Sequence, residues 1–112
     1  MALQHSREDG VLDIQMEGRI DSLGTTDFSG ELDAIITPDD RAVILNMRRL
    51  EYINSAGMRT LLEVVRKLRR QDAKFAIYSP IGPVKEVFQL SGFNRVMEIH
   101  DSRDAAIAAV TG

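Results

Sequence analysis

Leu12, Ile14 and Met16 alternate with Asp13, Gln15 and Glu17, a period of two that buries one face of a strand and leaves the other toward water. The Asp9–Gly10 pair just before them is a strong hairpin-turn dipeptide, so residues 2–8 and 11–18 are expected to pair as an opening antiparallel hairpin. Phe28, Leu32, Ile35 and Ile36 then share one helical stripe that stops before Pro38, with Asp21–Ser22 offering cap chemistry at its start. Gly24 and Gly30 each weaken that helix by about 1 kcal/mol relative to alanine, which predicts an irregular first turn. Residues 42–47, AVILNM, are nearly continuously apolar and read as a central parallel strand covered on both faces. From Ser55 onward Met58, Leu61, Leu62, Val65 and Leu68 recur at helical spacing, while Arg59, Glu63, Arg66, Lys67, Arg69 and Arg70 fall mostly off that stripe.

A short strand follows over Phe75–Tyr78, and Pro83 suits the first turn of a helix because its missing N–H would be unpaired there. Val84, Val87 and Phe88 should face inward, and Gly92 should stop the helix. A last strand over Val96–Ile99 and an alanine-rich helix capped by Asp101 or Ser102 and ending near Val110 complete the chain. The order ββαβαβαβα describes an α/β fold with a mixed, mostly parallel sheet and packed helices, built as one domain over residues 1–112. In such a sheet the loops leaving the carboxyl ends of neighbouring strands gather on one edge. Those loops are residues 19–25, 48–55 and 79–83.

Composition narrows the chemistry. The 112 residues contain no cysteine and two histidines, His5 and His100. Thiol nucleophiles, disulfides and thiolate zinc sites are therefore excluded, as is a three-imidazole metal site within one chain. A net charge of −3 opposes general nucleic-acid binding, which normally requires a basic surface. No run of about 20 apolar residues marks a membrane span, and the opening MALQHSREDG lacks the basic start and apolar block of a signal peptide. The expectation is a cytoplasmic protein with no membrane insertion, no direct nucleic-acid partner, no metal and no cofactor.

The middle loop is the most informative. In LEYINSAGMRTLL, Ser55 falls just before or within the first turn of the long helix, and Ala56 and Gly57 leave little bulk beside its hydroxyl. A phosphate there would meet unpaired helix N–H groups and the positive end of the helix dipole. It would add about −1.5 to −2 of charge at neutral pH, enough to switch a docking face without refolding the domain. The alternative is structural, since serine and asparagine are ordinary N-caps and either Asn54 or Ser55 would serve.

At these residues the chain resembles the STAS domains, and in particular the bacterial anti-sigma factor antagonists. The resemblance is carried by AVILNMRRLEYINSAG at residues 42–57 followed by MRTLLEVVRKLRR, by GRIDS at 18–22, and by SGFNRVMEIHDSRDAAIAAV at 91–110, so it spans nearly the whole chain. It implies a binding module that captures an anti-sigma factor that is also a serine-protein kinase. In the family, phosphorylation of the loop serine abolishes capture and a serine phosphatase resets the switch. Carried onto this sequence, the phospho-acceptor is Ser55, with Asn54, Ala56 and Gly57 completing its motif. Many phosphorylated members carry aspartate where this chain has Asn54, which keeps the hydrogen-bonding capacity and loses the charge. Asp21 fits the family's acidic position after the second strand, and fits a helix cap equally well.

Ser22, Thr25, Met58 and Arg59 are further candidates for partner contact. Ser22 and Thr25 are loop hydroxyls, Met58 suits either a partner or the core, and Arg59 lies near enough to sense a Ser55 phosphate. The helix carries five basic residues against one acidic residue from Arg59 to Arg70, a pattern that fits an acidic partner or a solvated face with cations placed against the helix dipole. The motif I-N-S-A-G lacks the first glycine of a nucleophile elbow, and Gly82 in SPIGP lacks the Lys–Ser/Thr pair of a phosphate loop. An enzyme, such as a small hydrolase, is disfavoured. The second class in view is a structural STAS subunit of a transport or stress-sensing assembly, associating without any kinase.

Overall fold

The computed structural model describes residues 3–21 and 25–111, apart from the side chains of residues 25–27. Five strands, β1 (Gln4–Glu8), β2 (Val11–Ile20), β3 (Ala42–Ile53), β4 (Lys74–Tyr78) and β5 (Glu98–His100), form one sheet in the order β1-β2-β3-β4-β5. Between and after them lie four helices among the described residues, α1 (Thr25–Ile35), α2 (Ser55–Arg70), α3 (Gly82–Ser91) and α4 (Arg103–Thr111). The element order is the one the periodicities predict.

The opening hairpin is antiparallel, with Glu8 opposite Val11. Asp9 and Gly10 both have positive φ, 54° and 82°, the conformation a two-residue hairpin turn demands and an Asp–Gly pair supplies. The remaining pairings are parallel. Because each crossover steps to the next strand in the same direction, right-handed connections place α1, α2 and α3 on one face. One core joins them. Phe28 and Leu32 of α1, Leu61 and Leu68 of α2, and Val84 and Phe88 of α3 pack with Leu12, Ile14, Val43, Leu45 and Ile77 of the sheet. Each such side chain contributes about 1.5–3 kcal/mol when fully buried. The other face is covered by α4, whose Ala106 and Val110 pack on Val11, Ala42, Ile44, Ala76 and Tyr78.

Several boundaries differ from the expectation. The strand foreseen over residues 42–47 runs on to Ile53, so most of the expected loop 48–55 is strand. Two register shifts relative to β2 explain why. They set two exposed arginines, Arg48 and Arg49, side by side and return Leu50 and Ile53 to the core, which breaks the alternation a pattern search follows. β2 likewise extends to Ile20. The last strand begins at Glu98, not Val96, because residues 93–95 form a 3₁₀ turn in which Val96 and Met97 both donate to the Phe93 carbonyl, at 3.0 and 2.9 Å. α1 is described from Thr25 onward, and the cap role considered for Asp21 depends on residues 22–24, which lie outside the described residues. Ser22 and the irregular turn foreseen at Gly24 lie outside the described residues. Of the two caps considered for α4, Ser102 takes the role: its Oγ accepts from the Ala105 N–H at 3.1 Å.

Candidate functional site at the start of α2

Ile20 and Ile53 are register partners at the carboxyl ends of β2 and β3, so Asp21 and Asn54 each stand one residue beyond a paired position on adjacent strands. Asn54 donates its backbone N–H to the Ile20 carbonyl at 2.9 Å, still in strand fashion. It then turns the chain in extended geometry (φ −90°, ψ 179°) and becomes the N-cap of α2. Its Oδ1 accepts the Gly57 N–H at 2.8 Å, and its carbonyl accepts the Met58 N–H at 3.0 Å.

This resolves the two roles left open by the sequence. Asn54 caps, and Ser55 is the first residue of the helix. The Ser55 side chain is exposed, and its hydroxyl makes no hydrogen bond among the described residues. No acidic residue occupies the first turn of α2, whereas Lys67, Arg69 and Arg70 occupy the last. The positive end of the helix dipole at Ser55 is therefore not offset by a carboxylate on the same turn.

Gly57 sets how closely α2 approaches the sheet. A Cβ on residue 57 would lie 2.8 Å from Ile20 Cγ2 and 2.8 Å from Ile53 Cγ1. The glycine is needed here for space, since only a residue without Cβ lets the first turn rest directly on the ends of both strands. Ala56 is half-buried. Thr60, one turn on, is 8% exposed and returns its hydroxyl to the Ala56 carbonyl at 3.2 Å.

The other candidates separate. Met58 is 3% exposed and belongs to the core, so of the two places considered for it the core is the one it takes and it is not a surface contact residue. Arg59 is exposed and has no ion pair among the described residues. Asp21 is half-buried at the neighbouring strand end. Thr25 opens α1, and its side chain is not described. At the far end of α2, Lys67 lies 3.7 Å from Asp33 and Arg69 reaches the Val96 carbonyl at 3.4 Å, contacts that tie the helix to the domain.

The third expected loop closes on its neighbour. Ser79 is buried at 7% exposure, donates Oγ to the Asp101 carbonyl at 3.1 Å and its N–H to the His100 carbonyl at 2.9 Å. His100 sits on the edge strand β5 with Nε2 3.8 Å from Glu98, and β4 separates that strand from β3. His5 is on β1 at the opposite edge. Neither histidine is arranged as a base for Ser55, and no group of three or more metal-ligating side chains occurs among the described residues.

Two relationships beside or behind the site escaped the periodicity. Arg19 lies over the Tyr52 ring at 4.6 Å from its centroid, a cation–π contact set by the shifted register of β2 and β3. On the opposite face of the sheet, the Tyr78 hydroxyl reaches both Asp13 oxygens at 2.9 and 3.0 Å, and Arg103 Nε reaches Asp13 Oδ2 at 2.8 Å. Burial, followed by the hydrogen bond to Asp13, pushes the Tyr78 phenol up to about 12.

The family model of the STAS domain matches residues 2–106. A putative anti-sigma factor antagonist, BtrV of Bordetella bronchiseptica, is 35% identical, covering 97% of this chain and 94% of its own. Among solved structures, an anti-sigma factor antagonist from Mycobacterium paratuberculosis superposes with a TM-score of 0.88 at 20% identity, covering 99% of this chain and 94% of its own. The Bacillus cell fate determinant SpoIIAA in its phosphorylated form superposes with a TM-score of 0.70 at 22% identity, covering 97% and 99%. With the sheet, its three-helix face and the Asn54–Gly57 turn all in place, the chain belongs to the STAS-domain family of anti-sigma factor antagonists.

Proposed function

We propose that this protein captures an anti-sigma factor that is also a serine kinase, and that phosphorylation of Ser55 switches the capture off until a serine phosphatase resets it. The general role follows from the family, whose members are regulatory binding proteins and not enzymes. The observation that carries the finer reading is the division of labour at α2: Asn54 caps the helix, so the exposed Ser55 hydroxyl is left for modification. The phosphorylated structural neighbour supports it by analogy. Residues 54–57, with Asp21 and Arg59 beside them, form the proposed partner surface, in the cytoplasm.

The charge arithmetic favours a local switch. A phosphate adds about −1.5 to −2 at one helix end, where the dipole stabilises it in the free protein and a partner surface would have to desolvate it. The test is affinity capture from the native cell with wild-type, Ser55→Ala and Ser55→Glu proteins, followed by mapping of captured proteins and phosphosites. Ser55→Ala should hold the anti-sigma factor and resist phosphorylation, and Ser55→Glu should release it. Phosphate found only on other hydroxyls, or equal capture by Ser55→Glu, would refute the assignment.

A further inference from the structure

Arg59 follows Ser55 by four residues on α2, a spacing that sets the two Cβ atoms about 5–6 Å apart on one face of the helix. The guanidinium is exposed and has no hydrogen bond or ion pair among the described residues. Glu63, one turn further on, is also exposed and does not pair with it. The arginine precedes the glutamate, the weaker order for such a pair on a helix. Asp21, one residue past the end of β2, is a carboxylate on the neighbouring strand end. Asn54, which precedes Ser55 and donates its backbone N–H to the Ile20 carbonyl, is neutral, and its side-chain oxygen is held by the Gly57 N–H.

We propose that Arg59 is the cation that takes the Ser55 phosphate, so that phosphorylation withdraws a positive charge from the docking surface as well as adding a negative one. The proposal rests on the reading of Ser55 as the phospho-acceptor. In the unmodified protein Arg59 is open to an acidic side chain of the partner. Once Ser55 Oγ carries the phosphate, the guanidinium has a doubly charged acceptor one turn back on its own helix and forms charge-assisted hydrogen bonds to it. The partner then loses its cation and meets an anion. The neutral cap is part of this arrangement. An aspartate at position 54 would compete for Arg59 and repel the phosphate dianion, whereas asparagine keeps the cap without either effect.

The test needs neither kinase nor partner. Phosphoserine is placed at position 55 during synthesis of the full chain, and its second ionisation is followed by phosphorus NMR. An arginine paired with the dianion lowers the midpoint, so Arg59→Gln should raise it by about 0.15–0.4 pH unit, the size an exposed helical ion pair supports. Arg59→Lys should restore much of the difference, and Asn54→Asp should raise the midpoint by adding a second anion beside the phosphate. The Arg59 Nε–H resonance should shift with the same midpoint. Circular dichroism confirms that each variant is folded. A common midpoint in wild type and Arg59→Gln overturns the role of Arg59 and leaves Ser55 as acceptor. Phosphosite mapping that finds Ser55 unmodified in the cell overturns the acceptor reading on which the role depends.

Discussion

Gly57 and Ile20 are in contact so close that a single methyl group between them would overlap, with 2.8 Å from an added Cβ to Ile20 Cγ2. Gly57→Ala should therefore destabilise the protein, although alanine is the better helix former by about 1 kcal/mol. Overpacking of a filled site typically costs about 1–3 kcal/mol. Ile53 closes the same site from the other strand, so the helix cannot tilt away from one neighbour without meeting the other. Urea denaturation reads the balance directly. A midpoint equal to or above that of wild type would mean that the first turn of α2 lifts freely from the sheet.

Asn54 gives a second prediction at the same turn. Its Oδ1 satisfies the Gly57 N–H, and removing such a cap costs about 0.5–2 kcal/mol. Asn54→Ala should lower stability by that amount, and Asn54→Asp should leave it unchanged or raise it, since a carboxylate keeps the bond and favours the positive end of the helix dipole. Amide hydrogen exchange in the first turn of α2 should follow the same order. If Asn54→Ala exchanges there as slowly as wild type, the cap is not what holds the turn.

The turn that holds the candidate site stood out in the sequence through a local signal, while the reading of Ser55 as a phospho-acceptor came from the resemblance to the STAS domains. A serine beside small residues at the start of an amphipathic helix can be read within a dozen positions. The choice between Asn54 and Ser55 as cap was not legible, since both residue types cap well and the decision depends on where β3 ends. That boundary was itself hidden, because the two register shifts put Arg48 and Arg49 together and make strand look like loop. Met58 was ambiguous for a related reason: an apolar residue on the first turn faces core or partner according to how deeply Gly57 lets the helix sit. Asp13, Tyr78 and Arg103 lie on three elements, up to 90 positions apart, and no periodicity links them.

That trio yields a spectroscopic prediction. The Tyr78 phenol, buried and bonded to Asp13, is pushed up to about 12, so a phenol absorbance titration should contain a late component that Tyr78→Phe abolishes. The folded state binds this proton more tightly than the unfolded chain, whose tyrosine ionises near 10. The resulting stability is complete below about pH 10 and is lost as pH rises toward about 12. Tyr78→Phe should flatten that alkaline loss. An unchanged alkaline limb in the variant would show that the phenol does not control it.

Arg7 and Asp40 make the opposite prediction in acid. Asp40 is 5% exposed between α1 and β3, and Arg7 of the edge strand β1 reaches both of its oxygens, at 2.8 and 3.2 Å. The Thr37 N–H adds a third bond at 2.8 Å. Burial alone would raise the Asp40 carboxyl, but the hydrogen bond from Arg7 and those from Thr37 outweigh it and hold it below the ordinary carboxylate value. A carboxyl lowered on folding stabilises the native state above its unfolded value, near 3.9, and loses that contribution as pH falls through the lower folded value. Arg7→Ala should cost about 1–2 kcal/mol at neutral pH: it leaves a buried carboxylate with fewer partners, and the half-exposed arginine moderates the loss. The difference between wild type and variant should then shrink below about pH 4, as Asp40 takes up its proton in both. Urea melts at pH 7, 5 and 3 would measure it. A difference that persists undiminished at pH 3 would mean that Arg7 acts through its packing on the hairpin and not through the charge of Asp40.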